Sequence, residues 1–211
     1  MARVTGAKCR QCRREGVKLY LRGERCHREK CAVNRREGTL PGAKQTTKRF
    51  GKLSQFGQQQ REKQKVKRMY GVLEQQFRGY YHRAAHMKGV TGENLLSLLE
   101  RRLDNVVYRF GFAVGRTSAR QLVLHGHVRV NGRRVNVPSY TIKAGDTVAV
   151  KDASKDMKLV KEGQAQRKQR GVVSWLALDA DKPQGSVVRL PARADIDAEV
   201  RENLIVELYS K

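Results

Sequence analysis

The chain has 211 residues and a formal net charge of +25, from 45 Lys and Arg against 20 Asp and Glu, with a pI near 10.5. That excess is far beyond what keeps a small domain in solution, so it points to a polyanionic partner. A spanning helix and a secretory leader are both excluded as readings: no run approaches about 18 apolar residues, and MARVTGAKCRQCRREG has no apolar stretch. The chain is therefore expected in the cytoplasm, with no membrane partner. Its charge is uneven: residues 1–90 carry +18, residues 91–170 carry +9 and residues 171–211 carry −2.

The four cysteines are Cys9, Cys12, Cys26 and Cys31, spaced C-x2-C-x13-C-x4-C. Two close pairs separated by a loop suit four thiolates around one tetrahedral Zn²⁺. A segment this polar buries too little to fold alone, so the metal would supply its folding energy. An iron–sulfur cluster uses the same four thiolates, and a disulfide pair needs an oxidising compartment. Lys8, Arg10, Arg13, Arg14, Arg25, Arg28 and Lys30 surround the cysteines. They are expected to lower the thiol pKa values and to face phosphates.

Residues 32–57 read as extended, with Lys44, Lys48, Arg49 and Lys52 alternating with Phe50, Leu53 and Phe56. Such interleaving can grip phosphates and stack bases. The favoured reading makes the three apolar residues core plugs. From Gln58, apolar residues recur every three or four positions through Tyr81, with Gly71 breaking the run into two helices. The opposite face carries Arg61, Lys63, Lys65, Lys67 and Arg68, a one-signed row expected to meet phosphates. His82 and His86 lie four apart with no third ligand in view. A further amphipathic helix is expected over 93–108, capped by Thr91, with Arg101, Arg102 and Arg109 on or near its polar side.

The stretch GRTSARQLVLHGHVRVNGRRVNVPSYTIKAGDTVAV follows. It reads as a short basic helix capped by Thr117 or Ser118, then two β runs joined by Asn131–Gly132. Asn-Gly is the strongest short hairpin signal, because both turn residues need positive φ. Thr147–Val150 is a last strand. A basic helix on a small hairpin sheet resembles the S4-type RNA-binding domain. Beyond Val150 come a polar loop and a helix. Residues 171–211 change sign and include an apolar patch at Trp175, Leu176 and Leu178, ending in ENLIVELYSK. That end is expected to return and complete the domain begun at 46–92.

The order of motifs carries the resemblance further. KLSQFGQQQREKQKVKRMYGVLEQQF, ENLLSLLERRLDNVVYRFGFA, GRTSARQLVLHGHVRVNG, VNVPSYTIKAGD and ENLIVELYSK together resemble the bacterial small-subunit ribosomal protein S4 family over the full length, in its zinc-binding-cysteine form. The resemblance implies a primary binder of 16S rRNA at a multi-helix junction of the 5′ domain, which nucleates assembly of the subunit body and contributes to translational accuracy. It implies contact with ribosomal protein S5, a functional link with ribosomal protein S12, and mRNA close by as it enters the subunit. It also implies RNA-facing roles for Lys44, Lys48, Arg49, Lys52, Ser54, Gln55, Gln59, Arg61, Lys63, Lys65 and Arg68. In the S4-type domain it implies them for Arg101, Arg102, Arg109, Arg116, Thr117, Ser118, Arg120, Gln121, His125 and Asn131. One departure is Gly115, where many members have Ser before the Arg.

The expected fold is α+β: a zinc-binding segment with an extended basic linker (1–45), a mainly helical domain (46–92 with 171–211), and an inserted S4-type domain (93–170, core about 99–161). An RNA-modifying enzyme with an S4-type targeting module is the rival class. Once the zinc segment and the S4-type domain are set aside, the remainder is short for a catalytic domain, and it holds no Gly-rich phosphate loop. A free-standing zinc-dependent regulator of translation is the other rival. No small-molecule substrate is expected.

Overall fold

The computed structural model describes residues 6–36, 54–179, 182–196 and 199–210. The chain divides into two compact units, one formed by residues 1–92 with 198–211 and the other by residues 93–197.

The first unit is helical: α1 (Lys8–Glu15), α2 (Ala32–Arg35), α3 (Gln55–Tyr70), α4 (Glu74–Ala85) and the C-terminal α9 (Glu202–Tyr209). The Ser54 hydroxyl caps α3 by accepting from the Gly57 N–H at 3.2 Å. Gly71, at φ 63°, ends α3 in the left-handed conformation that the sequence break anticipates. Val66, Tyr70, Val72, Phe77, Tyr80, Tyr81 and Ile205 are buried. Phe56 is 57% exposed, contrary to its expected core role, because it sits in the first turn of α3; Phe50 and Leu53 lie outside the described residues.

The helix α9 packs on α3, and polar bonds fix its register. Gln59 donates to Glu207 at 2.9 Å, the Arg201 N–H donates to Glu62 at 3.0 Å, and the Tyr209 hydroxyl donates to Glu74 at 2.8 Å. Burial alone would raise the Glu74 pKa. Bonds from Lys63 at 2.7 Å and Lys67 at 2.9 Å, with the Tyr209 hydroxyl, outweigh it and hold the carboxyl at about 2. A depressed carboxyl pKa contributes stability above the unfolded value, which is lost as pH falls through the folded one. The helical unit is therefore expected to loosen between about pH 4.5 and about pH 2. Amide exchange of 202–209 would report the loosening, and Glu74→Gln should remove much of its pH dependence.

In the second unit, α5 (Thr91–Glu100) is followed by α6 (Leu103–Arg109), α7 (Arg116–Leu124) and α8 (Lys158–Arg170). The expected single helix over 93–108 is two helices. Between them Arg102 adopts an extended conformation, and the 138–142 loop takes the bonds that a continuing helix would make. The Leu103 and Asp104 N–H groups donate to the Tyr140 and Pro138 carbonyls, and the Ile142 N–H donates to the Arg101 carbonyl. Thr117 and Ser118 lie inside α7, and Gly115 is its uncapped N-terminal residue.

The helices cover an antiparallel sheet ordered β2-β1-β3-β5-β4, made of β1 (Val128–Val130), β2 (Arg133–Arg134), β3 (Thr147–Val150), β4 (Leu176–Leu178) and β5 (Gln184–Val187). Asn131 and Gly132 turn the β1–β2 hairpin at φ 48° and 78°, as the sequence anticipates. Residues 171–197, expected with the helical domain, instead supply β4 and β5, because Thr147 and Ala149 pair with Ser186 and Gln184. Gly185 allows this: a Cβ there would meet the Phe110 ring and stand 2.7 Å from the Ala177 carbonyl oxygen. Trp175, Leu176 and Val187 then join Leu103, Val106, Phe110, Phe112, Leu122, Val128 and Val148 in one buried cluster.

Candidate nucleic-acid interface

Many of the expected RNA contacts have work inside the protein. On α3, Gln59 is fully buried, and Lys63 is buried, paired with Glu74, and 5.4 Å from the centre of the Tyr209 ring. Lys65 pairs with Glu62 at 3.0 Å. Arg61 (3.5 Å) and Arg68 both reach Glu15, whose carboxylate is almost wholly buried. Burial pushes the Glu15 pKa up, while Arg61, Arg68 and Arg14 pull it down. Gln55 is exposed, Ser54 is the cap, and Lys44, Lys48, Arg49 and Lys52 lie outside the described residues.

The second unit repeats the pattern around two buried acids. Glu100, fully buried, accepts from Arg109 Nε (2.9 Å) and Nη2 (2.8 Å) and from Asn105 Nδ2 (2.7 Å). Arg116 donates to Asn105 Oδ1 at 2.7 Å and lies 4.7 Å from the Tyr108 ring centre. Asp104 accepts from Arg102 at 3.0 and 2.7 Å and from Arg120 at 3.2 Å. Arg102 is 1% exposed and Arg120 8%. Arg101 donates to the Ile142 carbonyl at 2.9 Å, and burial lowers its pKa. The Asn131 amide spends both ends on the turn, donating to Asp146 and accepting from the Thr147 N–H, each at 2.8 Å.

What remains outward is a polar row with cations at one end. Thr117, Gln121 and His125 are exposed at four-residue spacing along α7, with Ser118 half-buried beside them. Beyond the helix, Arg134 lies against Gly126, and the His125 and His127 rings stack with centroids 6.1 Å apart. Burial lowers the His127 pKa, helped by His125, Lys151 and Arg134. Arg133 and Arg134 are exposed residues that the sequence reading passed over; their only signal was the RR pair directly after the Asn-Gly turn. Arg134 stands directly opposite Arg129 across the hairpin, and facing like charges cost stability unless an anion lies between them. The row offers hydroxyl, amide and imidazole groups for hydrogen bonds, while the cations offer charge for phosphates.

The cysteines lie on α1, a 3₁₀ turn at Gly23–Cys26 and the residue before α2. All four are free thiols, with Cys12, Cys26 and Cys31 buried. Backbone N–H groups of Leu19 and Arg22 point at the sulfurs of Cys12 and Cys26. Burial pushes both of these thiols up in pKa and the neighbouring thiols add to it, contrary to the expected lowering by cations. Among the described residues, no three His, Cys, Asp or Glu side chains converge closely enough to hold a metal ion. The donor chemistry still fits a thiophilic metal: four thiols in one short module, two of them facing backbone N–H groups. Also among the described residues, no helix is long and apolar enough to cross a membrane.

Comparison with known proteins covers the whole chain. Residues 3–100 match the Ribosomal protein S4/S9 N-terminal domain family, and residues 101–148 match the S4 domain family. Curated relatives named small ribosomal subunit protein uS4 align over 211 residues, all of this chain and all of each relative. Those from Acetivibrio thermocellus, Magnetococcus marinus and Thermodesulfovibrio yellowstonii are 58%, 56% and 54% identical.

Proposed function

Because this chain belongs to the uS4 family of small ribosomal subunit proteins, we propose that it is a structural constituent of the small ribosomal subunit in the cytoplasm, binding 16S rRNA at a multi-helix junction of the 5′ domain. The observation that carries this reading is the surface of the S4 domain. A polar row on α7 runs to Arg134 and Arg133, and buried carboxylates immobilise the arginines beneath it. RNA junctions are recognised by shape, backbone phosphates and unpaired bases, because the A-form major groove is too narrow to read. A rigid polar face with a cationic end suits that task. Binding the compact junction and not its open form drives assembly of the subunit body by mass action. No catalytic step is required.

The setting brings further partners with it: ribosomal protein S5 in contact, a functional link with ribosomal protein S12 through decoding accuracy, and mRNA passing nearby. Cys9, Cys12, Cys26 and Cys31 hold one Zn²⁺ in this reading. A metal there acts as a structural cross-link and neutralises the buried thiolates. Resemblance over the full length and the four-thiol donor set support these assignments.

The test is affinity for the 5′ domain of 16S rRNA across a salt series, with bulk tRNA as competitor. About six phosphate contacts would lower affinity about a thousand-fold between about 50 and 200 mM salt. Binding should survive the competitor. Equal affinity for tRNA at every salt would reduce the interface to unselective charge and overturn the junction reading.

A further inference from the structure

The cysteine module carries a second cationic feature unlike the rest of the chain. A cleft of about 430 Å³ opens beside Cys9, lined by Arg10, Arg13, Arg25, Lys30, Arg35 and Arg36 from α1, the 3₁₀ turn and α2. Among the described residues, no carboxylate lines it. The contrast with α3 is sharp, for there Arg61, Lys63, Lys65, Lys67 and Arg68 each reach a glutamate. In the cleft, the Nε of Arg13 is buried and has no hydrogen-bond partner among the described residues. Six like charges around one concavity repel one another, and a buried guanidinium N–H without an acceptor is costly. Both costs disappear when anionic oxygens fill the space.

We propose that this cleft seats two neighbouring phosphates of an RNA backbone, at a bend or where two strands cross. The proposal rests on the RNA-binding reading above and adds a site to it. A single phosphate is satisfied by two or three cations, so six call for more than one. Bidentate Arg forks match phosphate oxygens in geometry as well as in charge. Among the described residues the lining holds no aromatic side chain, so the cleft offers phosphate contacts and not base stacking. Crowded phosphates are what a cation-lined pocket selects from RNA, since the local negative potential is greatest there.

The experiment uses the full chain and the 5′ domain of 16S rRNA. Three proteins are compared: the wild type, the variant R10Q/R25Q/R35Q, and K158Q/K161Q/K182Q, which removes the same charge from the other unit. Circular dichroism and bound metal establish that each is folded. Salt dependence of affinity and interference by phosphate ethylation are then read. Loss of two phosphate contacts should flatten the slope of log affinity against log salt by about 1.4–1.8 in the first variant. Affinity should fall ten-fold or more at low salt. Two adjacent or cross-strand phosphates whose ethylation blocks wild-type binding should become indifferent in the first variant and stay sensitive in the second.

An unchanged slope and interference map in R10Q/R25Q/R35Q, with wild-type binding intact, would overturn the cleft and spare the RNA-binding reading. A wild type that does not bind the 5′ domain would overturn that reading, and the cleft with it. If inorganic tripolyphosphate raises the melting temperature of the wild type but not of R10Q/R25Q/R35Q, while the interference map stays the same, the cleft belongs to a free anion and the RNA assignment falls.

Discussion

Replacing Glu100 by alanine is expected to destabilise the S4 unit by about 3–5 kcal/mol, the usual cost of removing one partner from a buried charge pair. Glu100 is fully buried and serves several donors at once: both nitrogens of the Arg109 fork, the Asn105 amide and, at 4.0 Å, Arg116. Alanine would leave the Arg109 guanidinium, 14% exposed, without its anion, and would free Asn105 to turn away from Arg116. The damage should reach the RNA face because Arg116 opens α7, the helix that carries Thr117 and Gln121 and is followed by His125. Trp175, buried in the core of the same unit and the only tryptophan of the chain, provides the readout. Denaturant unfolding followed by its fluorescence should show a lower midpoint, and Glu100→Gln should lose less by keeping the shape and one acceptor. A midpoint for Glu100→Ala within about 0.5 kcal/mol of the wild type, the range of a plain surface change, would mean that the network is not holding the fold.

The arginines around Glu100 and Asp104 show where sequence reasoning reaches and where it stops. Arg116 and Arg120 stand four apart in a basic helix, and on charge alone both read as RNA contacts whose removal would spare the fold. In the structure Arg120 is buried against Asp104, sixteen residues earlier, and Arg116 is tied to Asn105. Substituting either would strand a partner inside the domain. A sequence displays the type and spacing of charges, but the acid that will neutralise one of them lies in another helix. Lys63 and Arg68 illustrate the same gap, since Glu74 and Glu15 reach them from outside α3.

The fold divides along similar lines. Features set by local chemistry were legible, the Gly71 stop and the Asn131–Gly132 turn, and so was one long-range feature, the return of the C-terminal helix, because its apolar run had to be covered. Other features set by distant pairing were not. Strands of three and four residues at 176–187 give almost no periodic signal, and they exist because β3 has a free edge to offer. The break at Arg102 is likewise imposed from outside, by carbonyls of the 138–142 loop. Arg133 and Arg134 could have been found from the turn beside them, because a two-residue strand at the sheet edge leaves both side chains exposed.

If Cys9, Cys12, Cys26 and Cys31 hold the proposed Zn²⁺, stripping it is expected to unfold residues 8–36 while the S4 unit stays intact. The apolar support of this module is small: among the described residues, Cys12, Leu19 and Leu21 are buried together, with Val33 and Met69 packed against them. Ordering so long a polar segment around so small a cluster needs another source of free energy. In zinc-finger peptides a structural Zn²⁺ supplies about 10–16 kcal/mol at neutral pH, more than the module could draw from its side chains. Chelation should therefore release one metal ion, expose four thiols to a reagent such as dithionitrobenzoate, and lower helicity. The Trp175 unfolding midpoint should not move. Cys12→Ser should behave as the chelated protein does before any chelator is added. Affinity for the 5′ domain should drop in parallel, because the cation-lined cleft is built from α1, the 3₁₀ turn and α2 of this module. If the thiols react equally before and after chelation and no metal accompanies the purified protein, the module folds by other means and the zinc assignment fails. A visible absorption band from the bound cofactor would assign the four thiolates to an iron–sulfur cluster instead.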